Sequence, residues 1–216
     1  MKSLLNLRLL GAVVLLVASA TLAYHGQPDL QQKWLYLAAD FEPMLLQRKV
    51  QIDPAELLSL MNDDYVELLI YDLRSEPDWN RFHLVDSERV SLELLPAQRK
   101  RLQALPENAV LVVVSNDEML ATEAWKRLMV LASPNAYILD GGLNHWLNIY
   151  RAPNDETGAQ SKANLSKADG TLRHVFKLAL GERHAAARPE EQLVPKREYT
   201  PKVKLLKRIK KATGCG

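Results

Sequence analysis

The stretch VLVVVSNDEMLATEAW, Val110 to Trp125, decides the fold. It begins with five apolar and mostly β-branched residues, a composition typical of a strand that is buried on both faces. The run ends at Ser115, and a segment with helical character follows. In α/β proteins, the turn between such a strand and helix often carries reactive side chains or an anion site. Here that turn reads Ser115-Asn116-Asp117-Glu118-Met119-Leu120, without Cys, Gly, Lys or Arg.

Strands and helices alternate on both sides of this stretch. Strands are predicted at 49–52, 66–71, 109–114 and 136–139, and helical segments at 77–81, 121–131 and 143–150. Another helix begins at Asp53-Pro54-Ala55-Glu56, with Asp as the N-cap and Pro at the first helical position. This alternation predicts an α/β domain over residues 49–150, in which helices flank a parallel sheet and Val110 to Val114 form an interior strand.

Composition excludes little, but the charges are unevenly placed along the 216 residues. Residues 53–88 contain ten acidic side chains, whereas residues 196–211 contain eight basic ones. This asymmetry predicts an acidic domain with a basic tail. The single cysteine, Cys215, excludes an intrachain disulfide, and the histidines show no metal-ligand spacing. We therefore expect no metal and no cofactor.

The N-terminus carries a long apolar run. Lys2 and Arg8 precede LLGAVVLLVASATLAY, residues 9–24. A basic start, an apolar centre and a small-residue exit are typical of a signal peptide, whereas about 20 apolar residues, counting Leu4 and Leu5, suffice for a transmembrane anchor. A buried core helix is disfavoured because the run has no polar face. Either of the first two alternatives places the rest of the chain on the periplasmic or extracytoplasmic side.

Two further regions complete the chain. Residues 25–48 are predicted to form a helical connector. Residues 151–216 are predicted to contain a polar linker, one amphipathic helix over 171–187 and a basic tail. In the tail, Thr200-Pro201 could start a basic amphipathic helix, with Val203, Leu206 and Ile209 on one face, suited to anionic lipid or an acidic partner. A solvated, disordered tail is an equal alternative.

Three pieces of the sequence, taken in order, resemble a rhodanese domain. They are IDPAELLSL at 52–60, LIYDLRSEPDWNRFHL at 69–84 and YILDGGLNHW at 137–146. The second resembles the family's strand ending in Asp-x-Arg, followed by an aromatic residue and a Gly-His-Ile step, in which Phe82 here replaces the glycine. The third resembles the Asp-Gly-Gly and Trp signature. The resemblance implies the rhodanese fold, with an additional N-terminal hydrophobic helix and a mostly helical or extended basic tail.

The resemblance also places the family's catalytic cysteine at Ser115. Sulfur transfer requires a thiolate that holds sulfane sulfur as a persulfide, and a serine hydroxyl cannot do this. Asn116 and Leu120 stand where the family has arginines, and Glu118 stands where it has a glycine. With Asp117 beside it, the loop opposes thiosulfate or phosphate electrostatically. We therefore expect a vestigial site at Ser115, Asn116, Asp117, Glu118, Met119 and Leu120, with no catalytic residue.

Three hypotheses for function follow. The first is a catalytically inactive interaction or scaffold module that is anchored to a membrane or exported and binds a protein partner. The second is a sulfur carrier that uses Cys215 or a partner's thiol. The third is a periplasmic module that binds a small neutral or cationic ligand in the 115–120 loop. Separate candidates for binding residues are Asp72, Arg74 and His83, although a structural role is favoured for Asp72 and His83. No nucleic-acid partner is expected.

Overall fold

The structure is a computed structural model that describes residues 2–26, 29–131, 133, 135–151, 170–174, 176, 179–194 and 196–205. Its helices are α1 Lys2–His25, α2 Leu30–Leu46, α3 Pro54–Met61, α4 Glu76–Arg81, α5 Arg99–Gln103, α6 Met119–Val130 and α7 Gly142–Tyr150. Its strands are β1 Gln51–Ile52, β2 Glu67–Asp72, β3 Ser87–Arg89, β4 Ala109–Val114 and β5 Ala136–Leu139. Two 3-10 turns lie at Leu95–Gln98 and Ala185–Ala187.

The five strands form one parallel sheet in the order β1-β5-β4-β2-β3. β4 lies at its centre, and all six of its residues are buried. Val110, Val112 and Val114 belong to the core on one face of the sheet, whereas Leu111 and Val113 belong to the core on the other. Successive side chains of a strand point to opposite faces, so this apolar run supplies both cores. The predicted interior strand and the parallel α/β fold are confirmed.

Helices cover both faces. On one face, α3 and α7 contribute Leu57 and Trp146 to the core, and on the other, α6 contributes Trp125. α3 begins as predicted, because the Asp53 carboxylate accepts a hydrogen bond from Ala55 N at 2.8 Å. The α6 face is also covered by α2, the predicted helical connector, whose aromatic side chains pack edge-on against Trp125.

The N-terminal hydrophobic helix is present as α1. Its described apolar side chains between Leu9 and Leu22 are exposed by 54–73%. Among the residues that the structure describes, no helix combines the length and the apolar character needed to cross a membrane.

The segment between β3 and β4 contains elements that the sequence pattern did not predict. β3 pairs with β2 at the edge of the sheet, with Ile70 opposite Ser87. A 3-10 turn and the five-residue helix α5 follow, and each buries one leucine, Leu95 and Leu102. Such short elements bury too few residues to produce a visible periodicity.

The prediction of an amphipathic helix over 171–187 was wrong. None of the described residues of that range is helical apart from the 3-10 turn, and several of them contact the domain. His83 N donates to Gly181 O at 3.3 Å, and Gly181 forms an isolated bridge with Phe82. Phe176 stacks on Phe82 with ring centroids 5.5 Å apart. The apolar residues thus enter the core singly instead of forming one helical face.

The helix start predicted at Thr200-Pro201 was also wrong. Residues 200–205 are not helical, because Lys202 N and Val203 N both donate to Glu56 Oε1, at 2.7 and 2.8 Å. These two bonds draw the backbone along the start of α3. Leu206, Ile209 and Cys215 lie outside the described residues.

Candidate functional site

The candidate site is the β4 loop, residues 115–118, between β4 and α6. Parallel strands bring their carboxyl ends to one edge of the sheet, and Asp72 at the end of β2 lies opposite Val114. The turn after β5 reaches the same edge, where Leu143 N donates to Ser115 O at 2.9 Å. The loop therefore lies at the carboxyl edge of the sheet, where open α/β proteins place their ligand sites.

Gly142 allows the turn after β5 to approach the loop. Its φ is +63°, a left-handed conformation that L side chains rarely adopt. A Cβ at this position would lie 2.6 Å from the carbonyl oxygens of both Ser115 and Asp117. The second glycine of the Asp-Gly-Gly sequence thus serves close packing of the turn on the β4 loop.

The Ser115 hydroxyl is engaged within the loop itself. The side chain is buried, with 1% of the residue exposed. Its Oγ donates to Asp117 O and accepts from Ala121 N at 3.2 Å, so it ties the loop to the first turn of α6. No basic side chain among the described residues hydrogen bonds to this hydroxyl. It has therefore neither the exposure nor the partner that an activated nucleophile requires.

A later part of the chain lies against the loop. We call residues 170–174 the strap. Asp117 Oδ2 accepts from Gly170 N at 2.7 Å, and Asn116 Nδ2 donates to Gly170 O at 3.0 Å. The other carboxylate oxygen of Asp117 accepts from Met119 N at 2.8 Å at the start of α6. Two polar side chains of the loop thus bind peptide backbone, at the place where the resemblance implies an anion site.

Asn144 of α7 holds the strap from the other side. Its Nδ2 donates to Thr171 O and its Oδ1 accepts from Arg173 N, both at 2.8 Å. Sequence reasoning missed this residue. The available signal was a polar side chain among the apolar residues of a short helix, and Asn144 is indeed buried. Because a buried amide needs partners, its presence indicated that something polar would lie against α7.

Two of the candidate binding residues, Asp72 and Arg74, form a buried ion pair next to the loop. Arg74 Nη2 lies 2.7 Å from Asp72 Oδ2, and both side chains are almost completely inaccessible. The same nitrogen donates to Phe82 O at 2.5 Å, and Arg74 Nη1 donates to Asn116 Oδ1 at 3.4 Å. These bonds connect the end of β2 to α4 and to the β4 loop, which is a structural role.

His83, the third candidate, contacts Trp79 and Gly181, and no hydrogen bond joins it to the described residues of the β4 loop. Its ring stacks on Trp79 with centroids 3.6 Å apart, and its Nδ1 lies 2.8 Å from Trp79 O. Gly181 packs so closely on this ring that a Cβ there would lie 2.9 Å from it. His83 therefore fixes the segment that precedes the 3-10 turn at 185–187, and the structure does not bring it together with Asp72 and Arg74.

Glu118, the last residue of the β4 loop, belongs to a partly exposed cluster of charges. Arg48 donates to Glu118 at 2.6 Å and also to Asp140. His145 Nδ1 lies 3.0 Å from Asp140 O and 3.4 Å from Asp140 Oδ2. Glu118 also accepts from Gly141 N at 2.6 Å. Arg48, which sequence reasoning did not single out, thus offsets the negative charge expected at this part of the loop.

This cluster shifts the protonation of its members. Hydrogen bonding to the His145 side chain and contact with Arg48 hold the pKa of Asp140 well below its usual range. The same Asp140 interaction raises the pKa of His145. By contrast, burial beside Arg151 lowers the pKa of His174, in the strap, to about 4. Near neutral pH, therefore, His174 is neutral, while His145 is stabilised as a cation.

Comparison with known proteins assigns the domain. A family model described as a rhodanese-like domain matches residues 53–149. The chain contains a rhodanese-like domain. A search of the curated proteins found no match.

Similar solved structures come from several bacteria. A Lactobacillus plantarum protein is 17% identical, with 51% of this chain and 93% of that chain covered and a TM-score of 0.40. A Bacillus halodurans protein is 15% identical, with coverage of 50% and 78% and a TM-score of 0.40. The rhodanese-like domain of an Anabaena protein is 20% identical, with coverage of 46% and 74% and a TM-score of 0.38.

The rhodanese-like domain of this chain has Ser115 at the position that the resemblance assigns to the catalytic cysteine. The chain's one cysteine, Cys215, lies outside the described residues. Within the described part of the chain, no three His, Cys, Asp or Glu side chains are grouped so that they could hold a metal ion. The β4 loop and α7 together are suited to holding peptide backbone, through Asn116, Asp117 and Asn144.

Proposed function

We propose that this chain is a non-catalytic rhodanese-like protein that acts as an interaction or scaffold module, at a membrane or after export. The observation that carries the proposal is the state of the β4 loop. Ser115 is buried and hydrogen bonded inside the loop, and the strap is hydrogen bonded to the neighbouring Asp117. A domain that keeps its fold but has no accessible nucleophile can still bind other molecules through its surface.

The chemistry of the loop supports the same proposal. A persulfide intermediate requires sulfur as the attacking atom, and Ser115 offers oxygen. A dianionic donor such as thiosulfate would meet the carboxylates of Asp117 and Glu118, and the one guanidinium bound to Glu118 also binds Asp140. The loop's charges and its occupied backbone contacts both disfavour sulfur transfer.

A thiosulfate:cyanide sulfurtransferase assay tests the absence of catalysis. The unmodified chain should be inactive, and Ser115→Cys should restore little activity because the new thiol would be buried under the strap. Adding Asn116→Arg, Glu118→Gly and Leu120→Arg should restore more, and Ser91→Cys is the matched control for a cysteine elsewhere. Activity of the unmodified chain that disappears with Cys215→Ser would instead support the sulfur-carrier hypothesis. Activity that survives this change would contradict the proposal.

The location is tested separately. α1 exposes its described apolar side chains, and Lys2 and Arg8 precede its apolar run, an arrangement that favours extracytoplasmic placement of the rest of the chain. A reporter that is active only in the cytoplasm, fused to the C-terminus, should give little signal. Replacing Val13 and Leu16 with Lys should release the chain into the cytoplasm and switch the reporter on. A strong signal from the unmodified fusion would contradict the proposed location.

Partners are tested by affinity purification from membranes followed by mass spectrometry. A specific partner should bind equally to the unmodified chain and to the Ser115→Ala variant, because the proposed module acts through its surface and not through the loop hydroxyl. Proteins that are also recovered with a chain denatured before capture serve as background. Loss of every specific partner in Ser115→Ala would indicate that the hydroxyl has a chemical role, against the proposal.

A further inference from the structure

A cavity of about 400 Å³ lies between α2 and α6. It is bounded by the second half of α2 and the residues that follow it up to Val50, by α6, by β5 and by residues 201–204. One lining residue, Arg48, binds Glu118 of the β4 loop, but none of the cavity's apolar residues takes part in the contacts described for the loop or the strap. The cavity therefore adjoins the site that the resemblance to rhodanese domains indicates but does not include the buried part of the β4 loop.

The floor and walls of the cavity are apolar and adaptable. Trp125 and Met129 form buried parts of the lining, and Phe41 and Met44 are half-buried. Methionine has an unbranched, flexible side chain that adjusts to ligands of irregular shape. Two methionines on facing helices thus provide a surface that can follow a flexible hydrocarbon.

The mouth of the cavity is positively charged. Arg48, Lys49, Lys202 and Lys204 line it, and no Asp or Glu does so among the described residues. Arg48 is neutralised by Glu118 and Asp140, and Lys202 Nζ donates to Gln51 O at 2.5 Å. Lys49 and Lys204 are exposed, and neither forms an ion pair with a described residue. Two positive charges therefore remain for a ligand at the rim.

We propose that this cavity binds the carboxylate of a single-chain fatty acid, with its hydrocarbon between Met44 and Met129 and its head at Lys49 and Lys204. A volume of about 400 Å³ is near the lower end for small-molecule sites, about 300–1,000 Å³, and suits one chain instead of a two-chain phospholipid. A peptide would bring backbone amides against an apolar floor that cannot hydrogen bond to them. This inference does not depend on the proposed function.

Photolabelling of the full chain with a diazirine analogue of dodecanoate tests the proposal, at concentrations below micelle formation. Peptide mapping by mass spectrometry should place saturable label on α2 and α6 near Met44 and Met129. Label on the apolar helix α1 is nonspecific background and is distinguished by its position. Unlabelled dodecanoate should compete at least about tenfold better than dodecanol, which lacks the charge, a difference equivalent to about 1.4 kcal/mol.

Two variants separate this site from general adsorption. Lys49→Glu with Lys204→Glu should weaken labelling of the cavity about tenfold or more, whereas Arg99→Glu with Lys100→Glu changes the charge equally and should leave it unchanged. Met44→Trp, at a half-buried position, should block the cavity. Labelling confined to α1, or cavity labelling that is unaffected by both the rim reversal and Met44→Trp, would overturn the proposal. Stronger competition by dodecyl phosphate than by dodecanoate would overturn the assignment of a carboxylate.

Discussion

The two turns that meet at the carboxyl edge of the sheet, the β4 loop and the turn after β5, differ in how they use polar groups. In the β4 loop, Ser115 and Asp117 are buried and their hydrogen bonds go to peptide backbone. In the turn after β5, Asp140 and His145 are half-exposed and interact as charges, together with Arg48. The first turn is closed by the strap, and the second remains open to solvent.

This difference shows how the polar groups of the two turns find their partners. A buried polar group needs a hydrogen-bond partner. The polar side chains of the β4 loop therefore hydrogen bond to backbone N–H and C=O groups of the strap. Exposed charges are satisfied by water and can remain responsive to pH. The closed turn is therefore expected to affect stability strongly, whereas the open turn is expected to affect ionisation with little effect on stability.

The largest effect is expected at the buried ion pair beneath the closed turn. Arg74→Ala would leave the Asp72 carboxylate buried without its partner and remove the bond to Phe82 O, so we expect a loss of about 3–5 kcal/mol in the free energy of unfolding. Urea denaturation would measure it. The matched control is Arg101→Ala, whose exposed pair with Glu88 should contribute about 1 kcal/mol or less. Equal losses in the two variants would remove the contrast between buried and open charges.

The next effect is expected at the contact between loop and strap. Asp117→Ala removes the acceptor for Gly170 N and for Met119 N, and should cost on the order of 1–3 kcal/mol. Hydrogen exchange at the amide of Gly170 should accelerate, while exchange in β4 should change only with global stability. Asp64→Ala, at an exposed aspartate, is the control. Unchanged exchange at Gly170 would mean that Asp117 does not hold the strap.

A smaller effect on stability is expected in acid. The pKa of His174 is lowered from about 6.5 to about 4, so below pH 6.5 the unfolded chain binds a proton that the folded chain does not. The free energy of unfolding should therefore fall as the pH drops from about 6.5 towards 4. That of the His174→Gln variant should fall less over the same range. Urea denaturation at several pH values would show this. Parallel curves for the variant and the unmodified chain would contradict a neutral, buried His174.

The smallest effect on stability is expected in the open turn. His145 should titrate above 6.5 in an NMR experiment, and Asp140→Asn should bring its pKa back towards the ordinary value. Because the pKa of His145 is raised, its contribution to stability is complete below pH 6.5 and is lost as the pH rises through the pKa of the folded state. Because the pKa of Asp140 is lowered, its contribution is complete above pH 3.8 and is lost as the pH falls through the pKa of the folded state. Because both groups are half-exposed, the gain between these limits should stay below about 1 kcal/mol. An ordinary pKa for His145 in the unmodified chain would contradict the cluster.

Local patterns were sufficient for most of the domain. The interior position of β4 followed from an uninterrupted apolar run, and the start of α3 followed from Asp53 and Pro54, because caps and strand burial depend on neighbours in sequence. Ser115 could be placed at the end of β4 for the same reason. β3 and α5 were missed because elements of three and five residues carry no measurable period.

The amino-acid sequence alone thus determined the parallel α/β domain, the absence of a thiol at Ser115 and the presence of an apolar N-terminal helix. The tertiary structure alone decided the path of the described residues after 170 and the partners of the polar side chains. Spacing in that segment suggested a helix, but its backbone groups found partners on Asn116, Asp117, Asn144 and Glu56 instead. Those partners are distant in sequence, and a competition between local and long-range hydrogen bonds is resolved only when the fold brings both alternatives together.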